Sequence, residues 1–294
     1  MRFTLLTGLG GIDHYTEIAR AAEAAGFHAM AIPDSLFYPE VTESDYPYMD
    51  TRAVRQALDG VPVLEPFVAM ASMAAVTTKL RFYPAVMKVP VRQPLVLAKA
   101  LSSLAVLSNN RISLGAGLSP WQEDFTYNGV DFARRGVLMD ECLQIIRGAM
   151  SGDYFEFHSD NFQIGRIKLS PAPTQPVPVL IGGHARPALR RAARAGDGWI
   201  SANSDYEALR TMIAALDELR CEYGTDNRDT FQIHAFDTTA RKPDDFQRLA
   251  GLGVTDICVT PWNPYDPACT LEDKLSGLNY FADNIIARFP ADCG

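Results

Sequence analysis

The chain has 294 residues, 47% of them hydrophobic and 21% charged, and a formal net charge of −8. That balance suits a soluble globular domain with a sizeable core; no apolar run nears the roughly 20 residues of a membrane span, and no basic stripe exists to track nucleic acid. Gly8 and Asp13 come too early for a secretory signal, and five scattered cysteines (Cys142, Cys221, Cys258, Cys269 and Cys293) lack zinc spacing, so a cytoplasmic protein without a metal is expected.

Apolar strands and helical segments alternate along the chain. Phe3–Thr7 reads as a strand, Asp13–Ala25 as a helix stopped by Gly26, and Phe27–Ile32 as the second strand. Pro66–Thr77 is predicted helical, Leu80–Val86 a strand, Pro94–Leu107 a helix, Arg111–Gly115 a strand and Arg134–Met150 a long helix. Four more pairs follow: Val179–Ile181 with Pro187–Ala195, Gly198–Ser201 with Asp205–Tyr223, Phe231–Phe236 with Asp244–Ala250, and Thr255–Thr260 with Leu271–Arg288. Eight strand–helix units without an internal linker predict an α/β fold, a (β/α)8 TIM barrel spanning 1–294 as a single domain. Two insertions break the rhythm. Ser35–Glu65, rich in tyrosine and acids and without clear regular structure, reads as a lid or binding loop after the second strand. The alternating residues on either side of Ser159-Asp160-Asn161 read as a hairpin before the fifth strand.

Pro178–Ile181 leads into Gly182-Gly183-His184 and then a helix with Pro187 in its first turn. Glycines at a helix N-terminus present bare N–H groups and the positive end of the helix dipole, which suits phosphate. A tight turn that needs glycine for its backbone angles explains the same residues. On a barrel, chemistry gathers at the carboxyl ends of the strands. Those ends carry Asp34, either an acid/base group or a loop cap, and Lys88, either a Schiff-base lysine or a paired one. His184 either meets phosphate or sits in the turn. The lack of a nucleophile triad or a metal-binding set suggests that a cofactor carries the chemistry.

Several stretches, in order, resemble the bacterial-luciferase-like superfamily, in particular its F420-dependent oxidoreductases. They are Ala21–Phe27 leading to Pro33-Asp34, Thr77–Arg81, Pro94–Lys99, Asn110–Gly117, Phe132–Gly136, Ile181–His184 and Gly196–Trp199. The resemblance implies a flavin or deazaflavin, F420 or alternatively FMN, with cofactor contacts from Thr7, Ala85, Val86, Gly117, Gly182, Gly183, His184 and Ala185. It also implies a cis Ala85–Val86 peptide facing the cofactor ring. Asp34 and Glu123 are the candidate proton carriers. Ser35 replaces a histidine common in relatives, and Leu118 replaces the glutamate of the sugar-phosphate dehydrogenases, which argues against sugar-phosphate oxidation. The expected reaction is hydride transfer with a small organic substrate; a reduced-FMN monooxygenase, a non-catalytic flavin binder and a Lys88 lyase are the alternatives. A homodimer is expected through Pro66–Thr77 and Pro94–Leu107, with Met70, Met73 and Leu104 as candidates for its face.

Overall fold

The computed structural model describes residues 1–8, 11–227, 230–237, 239–264, 266 and 268–289; Cys293 lies outside them. β1 (Arg2–Leu6) is followed by α1 (Tyr15–Ala24), entered from one 3-10 turn at Ile12–His14 and ended by Gly26 at φ +84°. β2 (Ala29–Ile32) follows. The 35–65 insertion contains α2 (Thr51–Leu58), capped by the Asp50 carboxylate accepting from the Ala53 N–H. α3 (Pro66–Ala74) has Glu65 as its cap and proline in its first turn. Its exit is held by Glu23, whose carboxylate accepts from the backbone N–H groups of Thr78, Lys79 and Leu80. Glu23 thus ties α1 to the turn before the third strand.

That strand comes in two pieces, β3 (Arg81–Pro84) and β4 (Met87–Lys88), separated by a cis Ala85–Val86 peptide. α4 (Pro94–Leu107) and β5 (Leu114–Gly117) follow. The fourth strand therefore starts three residues later than its apolar run predicts. Arg111, at the start of that run, is buried, and its guanidinium donates to the carbonyls of Ala74, Thr77, Leu80 and Ser108. Its backbone nonetheless meets the third strand: the Arg111 carbonyl accepts from the Phe82 N–H, and Ile112 bridges to Phe82 ahead of the continuous ladder.

α5 (Gln122–Thr126), α6 (Arg135–Ala149) and the antiparallel hairpin β6 (Phe155–His158)–β7 (Gln163–Ile167) precede β8 (Val179–Gly182). The remaining units are α7 (Arg186–Ala195), β9 (Gly198–Ser204), α8 (Tyr206–Tyr223), β10 (Gln232–Asp237), α9 (Pro243–Gly251), β11 (Asp256–Val259) and α10 (Leu271–Asn284).

The main sheet runs β3-β2-β1-β11-β10-β9-β8-β5-β4, with parallel pairing throughout. Its two ends are consecutive pieces of one strand, and Phe82 bridges to Ile112 beside them. The sheet thus closes into an eight-stranded (β/α)8 barrel, a TIM barrel whose third strand pairs with the second below the interruption and with the fourth above it.

Inside the barrel, small Ala29 and Ala31 leave room for Tyr83, Leu180, Ile200 and Cys258. Outside, Leu5, Ile18, Met30, Ile32, Phe82, Leu101, Ile146, Trp199 and Phe246 form the layer between strands and helices. Met70 and Met73 are fully buried there and Leu104 nearly so. This corrects the expectation that they face a partner: they pack α3 and α4 onto the barrel. Among the described residues, no helix is long and apolar enough to cross a membrane.

Candidate functional site

At the carboxyl ends of the strands, the interruption in the third strand fits a notch made of glycine. A β-carbon on Gly117 would lie 2.2 Å from Val86 Cγ2, and one on Gly182 would lie 2.7 Å from Val86 Cγ1. No real β-carbon tolerates such approaches, so both glycines are needed to receive the stiff, β-branched Val86. Gly115, one strand turn lower, is equally constrained by the Pro84 carbonyl. The structure therefore brings Ala85, Val86, Gly117 and Gly182 together at the mouth.

Asp34 follows β2 with a side chain 1% exposed. Arg92 grips it with both terminal nitrogens, at 2.8 Å to Oδ2 and 2.7 Å to Oδ1, and the Lys88 backbone N–H donates to Oδ2 at 2.9 Å. A carboxylate so fully engaged is suited to joining strands, not to moving protons. Lys88 is likewise spoken for. Its Nζ sits 2.6 Å from Asp124 Oδ2, with both side chains buried, and Ser119 Oγ donates to the same oxygen. An ammonium in such a pair is not the free amine that a Schiff base needs. The neighbour of Asp124 differs. Glu123 Oε2 is buried and is the one buried carboxylate oxygen among the described residues without a hydrogen-bond partner. The Lys88–Asp124 pair fixes the short α5 that carries it.

The β8–α7 turn has its own geometry. Gly183 has φ +120°, and a β-carbon there would lie 3.0 Å from Ala188 Cβ. Its N–H donates to the Ile200 carbonyl at 3.3 Å, and its carbonyl accepts from Trp199 Nε1 at 2.8 Å. The expected open donors of the turn therefore lie further along. α7 begins after Ala185, which has no capping side chain, and Ala185 and Arg186 are exposed residues whose N–H groups have no acceptor among the described residues. His184 Nε2 accepts from the Ala202 N–H at 2.8 Å, and burial holds the imidazole below its ordinary pKa. Its ring thus pins the turn to β9 as a neutral acceptor. Thr7, buried just after β1, donates its hydroxyl to the Gly8 carbonyl at 3.5 Å.

Sequence reasoning missed the reach of the insertion. Tyr48 sets its ring edge-on to His184 at 4.8 Å, and burial raises its phenol pKa. Tyr46 lies 5.5 Å from Tyr48 and stacks on Trp121 at 5.6 Å, while Ser44 Oγ accepts from the Gln122 N–H. An aromatic run thus crosses the mouth from α5 to the glycine turn. The tyrosines at 46 and 48 were the available signal, since an exposed loop seldom needs such side chains.

An uncharacterised protein of Mycobacterium tuberculosis is 45% identical over 98% of this chain and 100% of its own length. Among solved structures, the monooxygenase RslO1 of Streptomyces bottropensis superposes with a TM-score of 0.78 at 15% identity, covering 99% of this chain and 100% of that one. The coenzyme F420-dependent tetrahydromethanopterin reductase of Methanopyrus kandleri gives a TM-score of 0.74 at 15% identity, with 99% of both chains covered. Residues 3–257, from the first strand to the last, match the luciferase-like monooxygenase family, and the chain belongs to it.

Proposed function

We propose that this protein is an oxidoreductase that transfers a hydride between F420 and a small organic substrate at the carboxyl end of the barrel. The observation that carries the reading is Glu123 Oε2, a buried carboxylate oxygen left without a partner on α5, next to the Asp124 that pairs with Lys88 at the end of the third strand. Hydride transfer to a carbonyl, or from an alcohol, leaves one proton to be supplied or removed, and general acid–base chemistry needs a positioned group with spare capacity. Glu123 has that capacity; Asp34 and Lys88 have spent theirs on Arg92 and Asp124.

The residues present fit a phosphate-bearing deazaflavin. The donors of Ala185 and Arg186 would hold its phosphate at the α7 dipole, and Gly183 keeps side-chain bulk from the turn. Ala85 and Val86, wedged above Gly117 and Gly182, would support the ring system. When bound, the cofactor supplies the hydride acceptor or donor. The chain's own work is to orient it, to keep water from the mouth with Tyr46, Tyr48 and Trp121, and to hold a proton on Glu123.

A second reading, a reduced-FMN monooxygenase, draws on that same aromatic cover, since oxygen chemistry on a flavin calls for a shielded site. Anaerobic titration of the purified protein with F420 and with FMN separates the two. Saturable F420 binding without FMN binding supports the first reading; the reverse result overturns it.

A further inference from the structure

The 35–65 segment holds a pocket of its own. Between it and Trp121 lies a cavity of about 140 Å³, walled by Phe37, Pro39, Leu58, Val61, Val63 and the indole of Trp121. These walls are apolar. Arg55 is the one charged residue in the described lining, and its guanidinium is already engaged. Its Nη2 donates to the Pro39 and Glu40 carbonyls at 2.9 Å each, and the group lies 4.7 Å from the centre of the Tyr38 ring. The Ser35 hydroxyl turns to the Phe37 carbonyl at 3.5 Å. The cavity therefore offers apolar surface and no free charge, which favours an uncharged guest.

Its position ties it to the proposed chemistry. Ser35 directly follows Asp34, which Arg92 and the Lys88 backbone fasten to the third strand. On the other side, the Trp121 N–H donates to Ser119 Oγ at 3.1 Å, and Tyr46 stacks on the indole. Trp121 caps the start of α5, two residues before Glu123. A ligand seated against Trp121 is thus held beside the helix that carries the proposed proton group. Volume sets the size of that ligand. A cavity of about 150 Å³ with aliphatic and aromatic walls takes one benzene ring.

We propose that this pocket selects the substrate: it takes an uncharged apolar group about the size of one six-membered ring, so the molecule turned over is an apolar alcohol or carbonyl compound, not an anion. An alcohol would yield a hydride to F420 and a proton to Glu123, and a carbonyl would take up both. The reacting end of that molecule rests on the hydride-transfer reading; the preference of the pocket does not.

The test is calorimetric binding to the parent without cofactor, using benzyl alcohol and two ions of matched size, benzoate and benzylammonium. Benzyl alcohol should bind saturably and at least about tenfold tighter than either ion. Val63→Trp fills the cavity and should weaken benzyl alcohol by about tenfold or more. Leu58→Ala widens it and should shift preference towards 2-naphthylmethanol. Circular dichroism identifies a variant that fails to fold, and the other variant then decides. No saturable binding of benzyl alcohol, equal or tighter binding of an ion, or folded variants that bind as the parent does would each overturn the pocket. A parent that binds benzyl alcohol as expected but does not bind F420 overturns the cofactor reading and leaves the pocket standing.

Discussion

Arg92 holds Asp34 with two parallel hydrogen bonds, of 2.7 and 2.8 Å, across the gap between the second strand and the segment after the third. The Asp34 side chain is buried and Arg92 partly so, and the Lys88 backbone completes the pair. It is what fastens the upper half of the interrupted strand to its neighbour. Removing one partner would leave the other charge stranded, which typically costs 3–5 kcal/mol. Asp34→Asn is therefore expected to lower unfolding free energy by about that much, with Arg92→Gln restoring part of the loss in the double variant. Denaturant unfolding of the four proteins checks this. A stable Asp34→Asn protein that has lost only turnover would return Asp34 to the role of proton carrier.

Glu123 presents the opposite pattern. Replacing it with Gln keeps the shape of the side chain but removes the proton. Turnover should fall by about 10²–10⁴-fold, while cofactor affinity and stability stay near those of the parent. Single-turnover kinetics beside a binding titration separates these effects. An unaffected rate would leave the buried oxygen without a role in the reaction.

The closed end of the barrel sets the acid response. His28 precedes β2, and burial, helped by Arg2 and Arg81, lowers its pKa from 6.5 to about 4, against the opposing pull of Asp256. The fold thus favours the neutral imidazole. Below pH 6.5 the unfolded chain takes up a proton that the folded chain refuses until near pH 4, so stability falls as pH drops through that window and is fully present above it. The shift corresponds to about 3 kcal/mol at most. His28→Gln should flatten the stability profile between pH 6.5 and 4, measured as denaturation midpoints. A profile as steep as the parent's would assign the acid loss elsewhere, with the buried His234–Asp256 pair the next place to look.

Much of the architecture could be read from the sequence because it rests on local signals. Gly26 at a helix end, Pro66 and Pro94 at helix starts and eight short apolar runs gave the barrel, and Ser159-Asp160-Asn161 gave the hairpin. The fourth strand's apolar run begins at Arg111 as read, but only a single bridge from Ile112 to Phe82 precedes the continuous strand at Leu114, and the Arg111 side chain's role in holding the carbonyls of Ala74 and Leu80 was not legible. α2 was hidden in a polar stretch, although Asp50 before Thr51-Arg52-Ala53 is a cap signal. The burial of Met70 and Met73 depends on which way α3 faces, which a helix apolar on most sides does not reveal. Of the site, the glycine turn and the Ala85–Val86 interruption were anticipated. The partners of Asp34 and Lys88, and the reach of Tyr48 to His184, join segments 36 to 136 residues apart and exist only once the barrel has closed.

The central claim, that the cofactor's phosphate binds at the α7 end beside Gly183, is tested most directly by titrating F420 into the parent and into Gly183→Val. At φ +120°, and with Ala188 Cβ only 3.0 Å from the new β-carbon, valine must displace the turn. Charge-assisted hydrogen bonds from two backbone donors are at stake, about 3 kcal/mol or more than 100-fold in affinity. The account predicts that loss for F420 and little change for its phosphate-free core. A folded Gly183→Val protein that binds F420 as tightly as the parent would contradict it.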